Sequence, residues 1–373
     1  MVAALDLGSS AERRVGSSPA IRTKPVTRAY FFKPFPWWII KRAIAFVMIV
    51  KLLAIAISIK VSVSSFTERV VDCFKLASPK ALKTSLWILK ITIPVSFIVS
   101  ILGFYGALSM VSDFFTPAFK LIGLRGEAAI AFVTGVFLNI YSVIAVLSQL
   151  SLTLRETAII AVMSLIAHNL IVETAVQSHT GSKAWHMLAL RIGMAFLAAL
   201  LLNLSLPSLE QVLGSDVVQS QTLTLANHLR GWAYSAFRMI LKILILIFLL
   251  MVLQEVLREF NLIKILTAPV SPFLRLLGLP KSTSFLWIVA NTLGLAYGSA
   301  VMLEEVKQGR VKKSEADLLN YHIAISHSNL EDLLLFAAIG VSIPWMLGIR
   351  LVIAAVAVWA RRWYLTARGE VFN

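Results

Sequence analysis

Two short stretches of the sequence place a histidine and an acidic side chain close together within long apolar surroundings. Their polar members are His168, Asn169 and Glu173 in the first stretch, and His327, Ser328, Asn329, Glu331 and Asp332 in the second. Imidazole can exchange a proton near neutral pH, and imidazole and carboxylate groups both bind cations. A charged side chain at the centre of a membrane span costs about 2.5–3.5 kcal/mol to insert, so each one indicates a functional role. These groups predict a polar site that binds a solute or an ion.

Helical spacing sets which of these side chains can meet. His168 and Glu173 are five positions apart and lie about 140° apart around a regular helix, so we do not expect them to share a face. His327 and Glu331 are at i and i+4, so we expect them to meet directly. Buried polar pairs that merely join helices are the structural alternative to a binding site. The same histidines and acids are also compatible with binding of a divalent metal, but the sequence shows no close His–His spacing, so no metal ligand is assigned.

The elements that must carry these residues are membrane-spanning helices. The chain has 373 residues, of which 58% are hydrophobic and 14% charged, whereas soluble domains have about 25% charged residues. Eight continuous apolar runs are long enough for helices in a bilayer: 84–110, 127–150, 157–178, 185–206, 234–256, 283–303, 318–340 and 343–360. The net charge of +16 fits basic cytoplasmic loops and anionic lipid, so we expect no nucleic-acid partner. Cys73 is the single cysteine, which excludes internal disulfides.

The eight runs divide into two copies of one pattern. PAFKLIGL at 117–124 recurs as PFLRLLGL at 272–279, an offset of 155 residues. IAHNLIVE at 166–173 recurs as ISHSNLED at 325–332, an offset of 159 residues, which aligns His168 with His327. Arg191 and Arg350 match at that second offset, and Glu173 and Asp332 are their candidate partners. Polar matches at one offset predict an internal repeat.

The third run of each copy decides how the repeats are oriented. Its polar residues are Thr134, Gly135 and Asn139 in the first copy, and Asn291, Thr292 and Gly294 in the second. Such residues fit either a tight contact between crossing helices or the tip of a re-entrant hairpin. Hairpins place 16 basic loop residues on one side and four on the other, which the positive-inside rule favours. We therefore expect inverted repeats, with both tips and both His/acid groups converging at mid-membrane.

The expected fold is an all-α polytopic membrane protein. Each repeat has a long helix, a short amphipathic helix, a re-entrant hairpin and two further helices. The expected division is a disordered basic tail at 1–36, an interfacial helix and connector at 37–83, the first repeat at 84–206, an external polar linker at 207–233, the second repeat at 234–362 and a basic tail at 363–373. Whether 37–65 crosses the membrane stays open, and a non-crossing segment is favoured.

The run from Pro117 to Val176 resembles the Gate domain, also called the nucleoside-recognition domain. That domain occurs in concentrative nucleoside transporters, in the membrane part of the ferrous-iron transporter and in sporulation-associated membrane proteins. The more specific motifs are Gly-Leu-x-Gly-Glu at 123–127 and His-Asn-x-x-x-Glu at 168–173, and the second copy departs from both. The resemblance implies an inverted repeat with paired hairpins and does not fix a substrate.

Two classes of function fit these observations. The first is a transporter-like protein that moves a small polar solute, a nucleoside or a cation, through a midplane site between the repeats. The second is a non-transporting membrane scaffold or assembly partner that uses the same fold. No enzyme signature is visible, so we expect neither catalytic residues nor a cofactor. The expected location is the cell inner membrane, with the lipid bilayer and a small solute or ion as partners, and a homo-oligomer is compatible with such a chain.

Overall fold

The fold is that of a computed structural model, which describes residues 63–207 and 224–372. Within these ranges the regular structure is entirely helical, as expected for an all-α polytopic membrane protein. The first copy contains seven helices: α1 (Val63–Phe104), α2 (Ala107–Lys120), α3 (Ala128–Phe137), α4 (Ile140–Leu147), α5 (Leu154–Ala167), α6 (Leu170–His179) and α7 (Ala184–Ser205).

The second copy repeats these elements in the same order. Its helices are α8 (Leu225–Glu259), α9 (Leu262–Leu276), α10 (Ser284–Thr292), α11 (Leu295–Lys307), α12 (Lys313–Ile323), α13 (Glu331–Ala338) and α14 (Ile343–Thr366), with a short 3-10 turn at Lys281–Thr283 before α10. The order confirms the expected repeat: a long helix, a short helix, a helical hairpin, a helix broken into two pieces and a last long helix.

The long first helices of the two repeats run antiparallel. Arg69 near the start of α1 forms an ion pair with Glu259 at the end of α8, with 2.8 Å between Nε and Oε1. Near the other end of α1, Ser100 bonds to His228 at the start of α8, 2.9 Å from its Nε2. Equivalent helices that run in opposite directions show that the repeats are inverted. This agrees with three crossings per repeat, because an odd number reverses the second copy.

The short helices α2 and α9 are each followed by the Gly-Leu motif that reveals the repeat in the sequence. Gly123 and Gly278 have φ angles of 72° and 85°, which glycine adopts without a Cβ clash. The turn lets the amide of Leu124 bond to the carbonyl of Phe119 at 3.0 Å, and Leu279 repeats the bond to Leu274 at 3.0 Å. Both motifs satisfy carbonyls at the helix end and direct the chain into the hairpin.

The third element of each repeat turns back on itself. A Cβ placed on Gly135 would lie 2.7 Å from Cγ2 of Val143, although eight residues span about 12 Å in a continuous helix. In the second repeat, a Cβ on Gly298 would lie 2.9 Å from Cα of Ala290, again eight residues away. Gly135 aligns with Ala290, and Val143 with Gly298. Each hairpin therefore has one glycine at the same crossing, on opposite arms.

Contacts between loops define two opposite ends of the molecule. At one end Arg362 bonds to the carbonyl of Gly278 at 2.9 Å, and Ser182 bonds to Asp317 at 2.5 Å. At the other end Arg155 bonds to the carbonyl of Asn203 at 2.6 Å. The grouping keeps 256–282, 304–317 and the α14 terminus together, as the loop-charge argument requires. Which end faces the cytoplasm stays a prediction.

Five helical stretches of the described chain are long and apolar enough to span a membrane: Phe66–Phe104, Leu154–His179, Ala184–Ser205, Leu225–Glu259 and Ile343–Thr366. Repeat equivalence makes α12–α13 the sixth crossing. Large apolar side chains such as Phe114 (78% exposed) and Leu204 (76% exposed) face outward, where lipid replaces a protein core.

Several expected boundaries differ in detail. The residues from 63 to 83, expected as a connector, form the first turns of α1. Residues 225–233, expected in the linker, begin α8, and α14 continues to Thr366. The tail at 1–36 and the segments 37–62 and 208–223 lie outside the described residues.

Candidate functional site

Each broken helix opens its backbone at a histidine. α5 ends at Ala167, the next residue His168 has an extended ψ of 157°, and Asn169 follows in the left-handed region at φ 47°. In the second repeat α12 ends before His327, and Ser328 is left-handed at φ 48°. Asparagine tolerates this conformation better than most residues, whereas serine rarely adopts it. The breaks therefore leave backbone carbonyls without helical amide partners in mid-span.

A fully buried arginine in each repeat binds the carbonyls freed by the break. Arg191 on α7 donates from Nε to the carbonyl of Ile166 at 2.8 Å and from Nη2 to that of His168 at 2.7 Å. Arg350 on α14 binds the carbonyls of Ile325 and His327 at 2.9 and 2.8 Å. The two arginines thus hold the unwound segments in the same way, which satisfies groups that lipid cannot.

The two breaks bring their side chains to one point, which we call the His–acid centre: His168, Glu173, His327 and Asp332. Nε2 of His168 lies 3.1 Å from Oε1 of Glu173, and Nε2 of His327 lies 3.2 Å from Oε2. Asp332 approaches from the second repeat, with Oδ2 3.7 Å from Nε2 of His168. The expected convergence of the two His/acid groups is therefore present, and all four side chains are buried.

The hydrogen bonds of the histidines define which ring nitrogen faces the centre. Nδ1 of His168 lies 2.9 Å from the carbonyl of Ser164, and Nδ1 of His327 lies 2.7 Å from that of Ile323. A carbonyl only accepts, so each Nδ1 carries hydrogen and each Nε2 of a neutral ring presents a lone pair. Both lone pairs then face the carboxylate of Glu173. Such an arrangement of acceptors requires a proton or a cation between them.

The centre is not symmetric in its ion pairs. Nη2 of Arg191 lies 2.6 Å from Oε2 of Glu173, as expected. The equivalent pair between Arg350 and Asp332, which the repeat predicts, does not form among the described residues. Oδ2 of Asp332, Nε2 of His327 and one Nη1 on each arginine are buried without a hydrogen-bond partner.

Backbone bonds join the hairpin tips to the unwound segments. The amide of Asn169 bonds to the carbonyl of Gly135 at 2.8 Å, and the amide of Ser328 bonds to the carbonyl of Ala290 at 3.2 Å. In the second repeat, Leu330 adds a bond to the carbonyl of Asn291 at 3.1 Å. The tips and the His–acid centre are therefore parts of one structure.

The other predicted site residues have local roles in the structure. Asn139 caps α4 by accepting from the amide of Ser142 at 3.0 Å, and Thr292 bonds back to the carbonyl of Ile288 at 2.7 Å. Asn329 donates to Oδ1 of Asn291 at 2.5 Å. Thr134 accepts at its carbonyl from Leu138, and Gly294 opens α11 with a φ of 87°. Solute binding by these residues stays a prediction.

Besides the missing pair between Arg350 and Asp332, two sequence expectations about side-chain contacts are wrong. His168 and Glu173 do meet, because the helix between them is broken and the regular-helix angle does not apply. His327 and Glu331 do not meet; Glu331 instead accepts a bond from the hydroxyl of Tyr141 at 2.6 Å. His322 on α12 is fully buried and accepts a bond from Trp287 at 3.2 Å.

Sequence reasoning missed a polar contact between the repeats, which we call the polar latch: Gln177, Thr180, Ser182, Asp317 and Asn320. The side chain of Asn320 donates to the carbonyl of Gln177, to Oγ1 of Thr180 and to Oγ of Ser182 at 3.3, 2.9 and 3.1 Å. Arg361 pairs with Asp317 at 2.7 Å. The internal alignment could have revealed this contact, because it matches these five polar residues with apolar ones in the other repeat: Phe336, Ile339, Val341, Ala158 and Ala161.

The chain is similar in sequence to a family model and to a known membrane protein. The family model of the Gate domain, described as nucleoside recognition, matches residues 85–178, from α1 to α6. The uncharacterized membrane protein YvoD of Bacillus subtilis is 30% identical over 289 residues, which cover 75% of this chain and 93% of YvoD. No solved structure matches significantly.

Proposed function

Because the chain belongs to the Gate, or nucleoside-recognition, family of membrane proteins, we propose that it is a transporter-like protein for a small polar solute. The solute is a nucleoside or a cation, and it passes through the His–acid centre between the repeats. The proposal places the protein in the cell inner membrane and includes no catalysed reaction and no cofactor.

One observation carries this proposal: a single carboxylate, that of Glu173, faces one histidine from each inverted repeat. Discontinuous helices with unwound centres, facing each other across a repeat interface, are the usual way in which secondary transporters build a midplane site. Here the unwound segments are held by Arg191 and Arg350, so their geometry is preorganised.

The division of the site between the two repeats also supports movement of a solute across the membrane. His168 and Glu173 belong to the first repeat, and His327 and Asp332 belong to the second, so a solute at the centre contacts both. Rocking one repeat against the other would open the centre first to one side and then to the other. A scaffold needs no charged groups at this depth, where they are costly.

The test is uptake by the full chain reconstituted in proteoliposomes. The panel is radiolabelled uridine and adenosine together with Mn²⁺, Co²⁺ and Zn²⁺, and protein-free liposomes give the background. We expect uptake of at least one panel member, loss of that uptake in Glu173→Gln, and retention in Glu304→Gln. Glu304 is exposed on α11, so it controls for the same chemical change outside the centre.

Two results would contradict the proposal. Uptake that survives Glu173→Gln would remove the His–acid centre from the pathway. No uptake of any panel member by monodisperse, folded protein would favour the scaffold alternative.

A further inference from the structure

We propose that the His–acid centre binds a divalent first-row transition-metal ion through Nε2 of His168, Nε2 of His327 and the carboxylate of Glu173. The inference rests on the proposed function for its role, because it makes that cation the transported solute. The site itself is argued from the geometry alone.

The distances suit a metal. The donor atoms of His168, Glu173 and His327 all lie within 4.8 Å of one another, and the two His–Glu separations are 3.1 and 3.2 Å. Two ligand atoms about 2.1 Å from one tetrahedral ion are about 3.4 Å apart, so small side-chain adjustments complete the coordination. Oδ2 of Asp332, 3.7 Å from Nε2 of His168, is placed to become a fourth ligand.

The hydrogen bonds around the ligands also suit a metal. Metal-binding histidines usually donate their second ring nitrogen to a carbonyl or carboxylate, which fixes the tautomer and aims the lone pair. Both histidines do this with carbonyls of their own helices. Arg191 orients Glu173 in the same manner. Nε2 of His327 and Oδ2 of Asp332 are buried without hydrogen-bond partners, and a shared cation would satisfy both.

Charge and ligand type narrow the class of ion. Three carboxylates lie at or beside the centre: Glu173, Asp332 and Glu331, the last of which accepts a bond from Tyr141. The two buried cations are Arg191 and Arg350. With neutral histidines these groups sum to one negative charge, so a divalent ion is favoured over an anion. Two imidazole donors favour ions such as Fe²⁺, Co²⁺, Ni²⁺ and Zn²⁺, whereas Ca²⁺, Mg²⁺ and Mn²⁺ suit oxygen ligands better.

The test is direct metal binding by the tag-free full chain in detergent, without transport. Co²⁺ is titrated and followed by its visible absorption, and Zn²⁺ is titrated by calorimetry in parallel. We expect one Co²⁺ per chain, displaced by Zn²⁺, with affinity that falls as pH falls because protons compete for the ligands.

The variants His168→Asn and His327→Asn separate binding from folding. Asparagine places its amide near the position of Nδ1, so it keeps the bond to the carbonyl of Ser164 or Ile323 and removes the Nε2 ligand. We expect each variant to weaken Co²⁺ binding by at least ~10-fold, the lower limit for loss of even an outer-shell partner. His179→Ala is the matched control, because His179 lies exposed on the same helix as Glu173.

The outcomes distinguish this inference from the proposed function. No Co²⁺ or Zn²⁺ binding above the detergent blank would overturn the metal site, while nucleoside uptake could still support transport. Wild-type affinity for Co²⁺ in both asparagine variants would also overturn it. So would a loss of Co²⁺ binding in His179→Ala as large as the loss in the asparagine variants. Metal binding at the centre without uptake would support the site and contradict transport.

Discussion

The two equivalent acids of the His–acid centre should differ sharply in their importance for stability. Glu173 and Asp332 align in the repeat, yet only Glu173 forms an ion pair with its arginine, at 2.6 Å. Glu173→Gln leaves Arg191, which is 0% exposed, without a carboxylate partner. Removing one member of a buried ion pair costs about 3–5 kcal/mol, and we expect the lower part of that range because Gln retains an acceptor.

Asp332→Asn should have a much smaller effect. Its Oδ2 has no hydrogen bond and lies 3.7 Å from Nε2 of His168, so neutralisation breaks no bond. Loss of a buried charge also removes a desolvation cost. We therefore expect the free energy of unfolding of Asp332→Asn to stay within about 1 kcal/mol of the wild type.

The assay is unfolding of both purified variants in SDS titrations, followed by tryptophan fluorescence. EDTA is present throughout, because a bound metal would add its own stabilisation to the wild type. The expected difference between the variants is about 2–4 kcal/mol, from the values above. Equal losses of unfolding free energy in the two variants would refute the asymmetry of the ion pairs. A larger loss in Asp332→Asn would show that the asymmetry runs in the opposite direction.

Three further predictions concern the framework. The first uses a Cys73→Ser background, in which Arg230→Cys should react with an impermeant thiol reagent added from outside. Lys281→Cys and Lys307→Cys should react only after permeabilisation. Labelling of positions 230 and 281 from the same side would contradict the inverted repeats. Gly298→Ala should destabilise by about 1–3 kcal/mol through overpacking against Ala290, measured by SDS titration, while Gly193→Ala, with open space around it, should be neutral or stabilising. Asn320→Ala should lower the unfolding midpoint, because the partners of the Asn320 amide lose hydrogen bonds worth about 1 kcal/mol each. Asn227→Ala, at an exposed position, is the control. Equal midpoints for the two variants would contradict the latch.

The fold could be predicted because its signals are periodic and compositional. Apolar runs indicate spans, and the recurring Gly-Leu of 123–124 and 278–279 marks a turn that needs a left-handed glycine. The hairpins followed from loop charge, which depends on crossing number and not on side-chain detail. The convergence of His168 and His327 followed from the cost of separate polar groups in lipid.

The contacts inside the centre could not be predicted, because they depend on where helices break. A regular helix separates His168 from Glu173 and joins His327 to Glu331, and the unwound backbone at Asn169 and Ser328 reverses both. A break of this kind is stabilised by tertiary bonds from Arg191 and Arg350, which lie 23 residues beyond the histidines whose carbonyls they bind. Local sequence spacing contains no information about such bonds.

The polar latch shows that the two repeats differ in the contacts they make on opposite sides of the His–acid centre. Inversion places each contact between α6 and α12 opposite an equivalent contact between α13 and α5. In the first contact Asn320 bonds to Gln177, and in the second Ala161 aligns with Asn320 and Phe336 with Gln177, both in the apolar core. A polar contact can exchange its bonds for water when it opens, whereas an apolar contact excludes water. The two sides of the centre are therefore chemically unequal, and separating the contact on the latch side would cost less because water can replace its bonds.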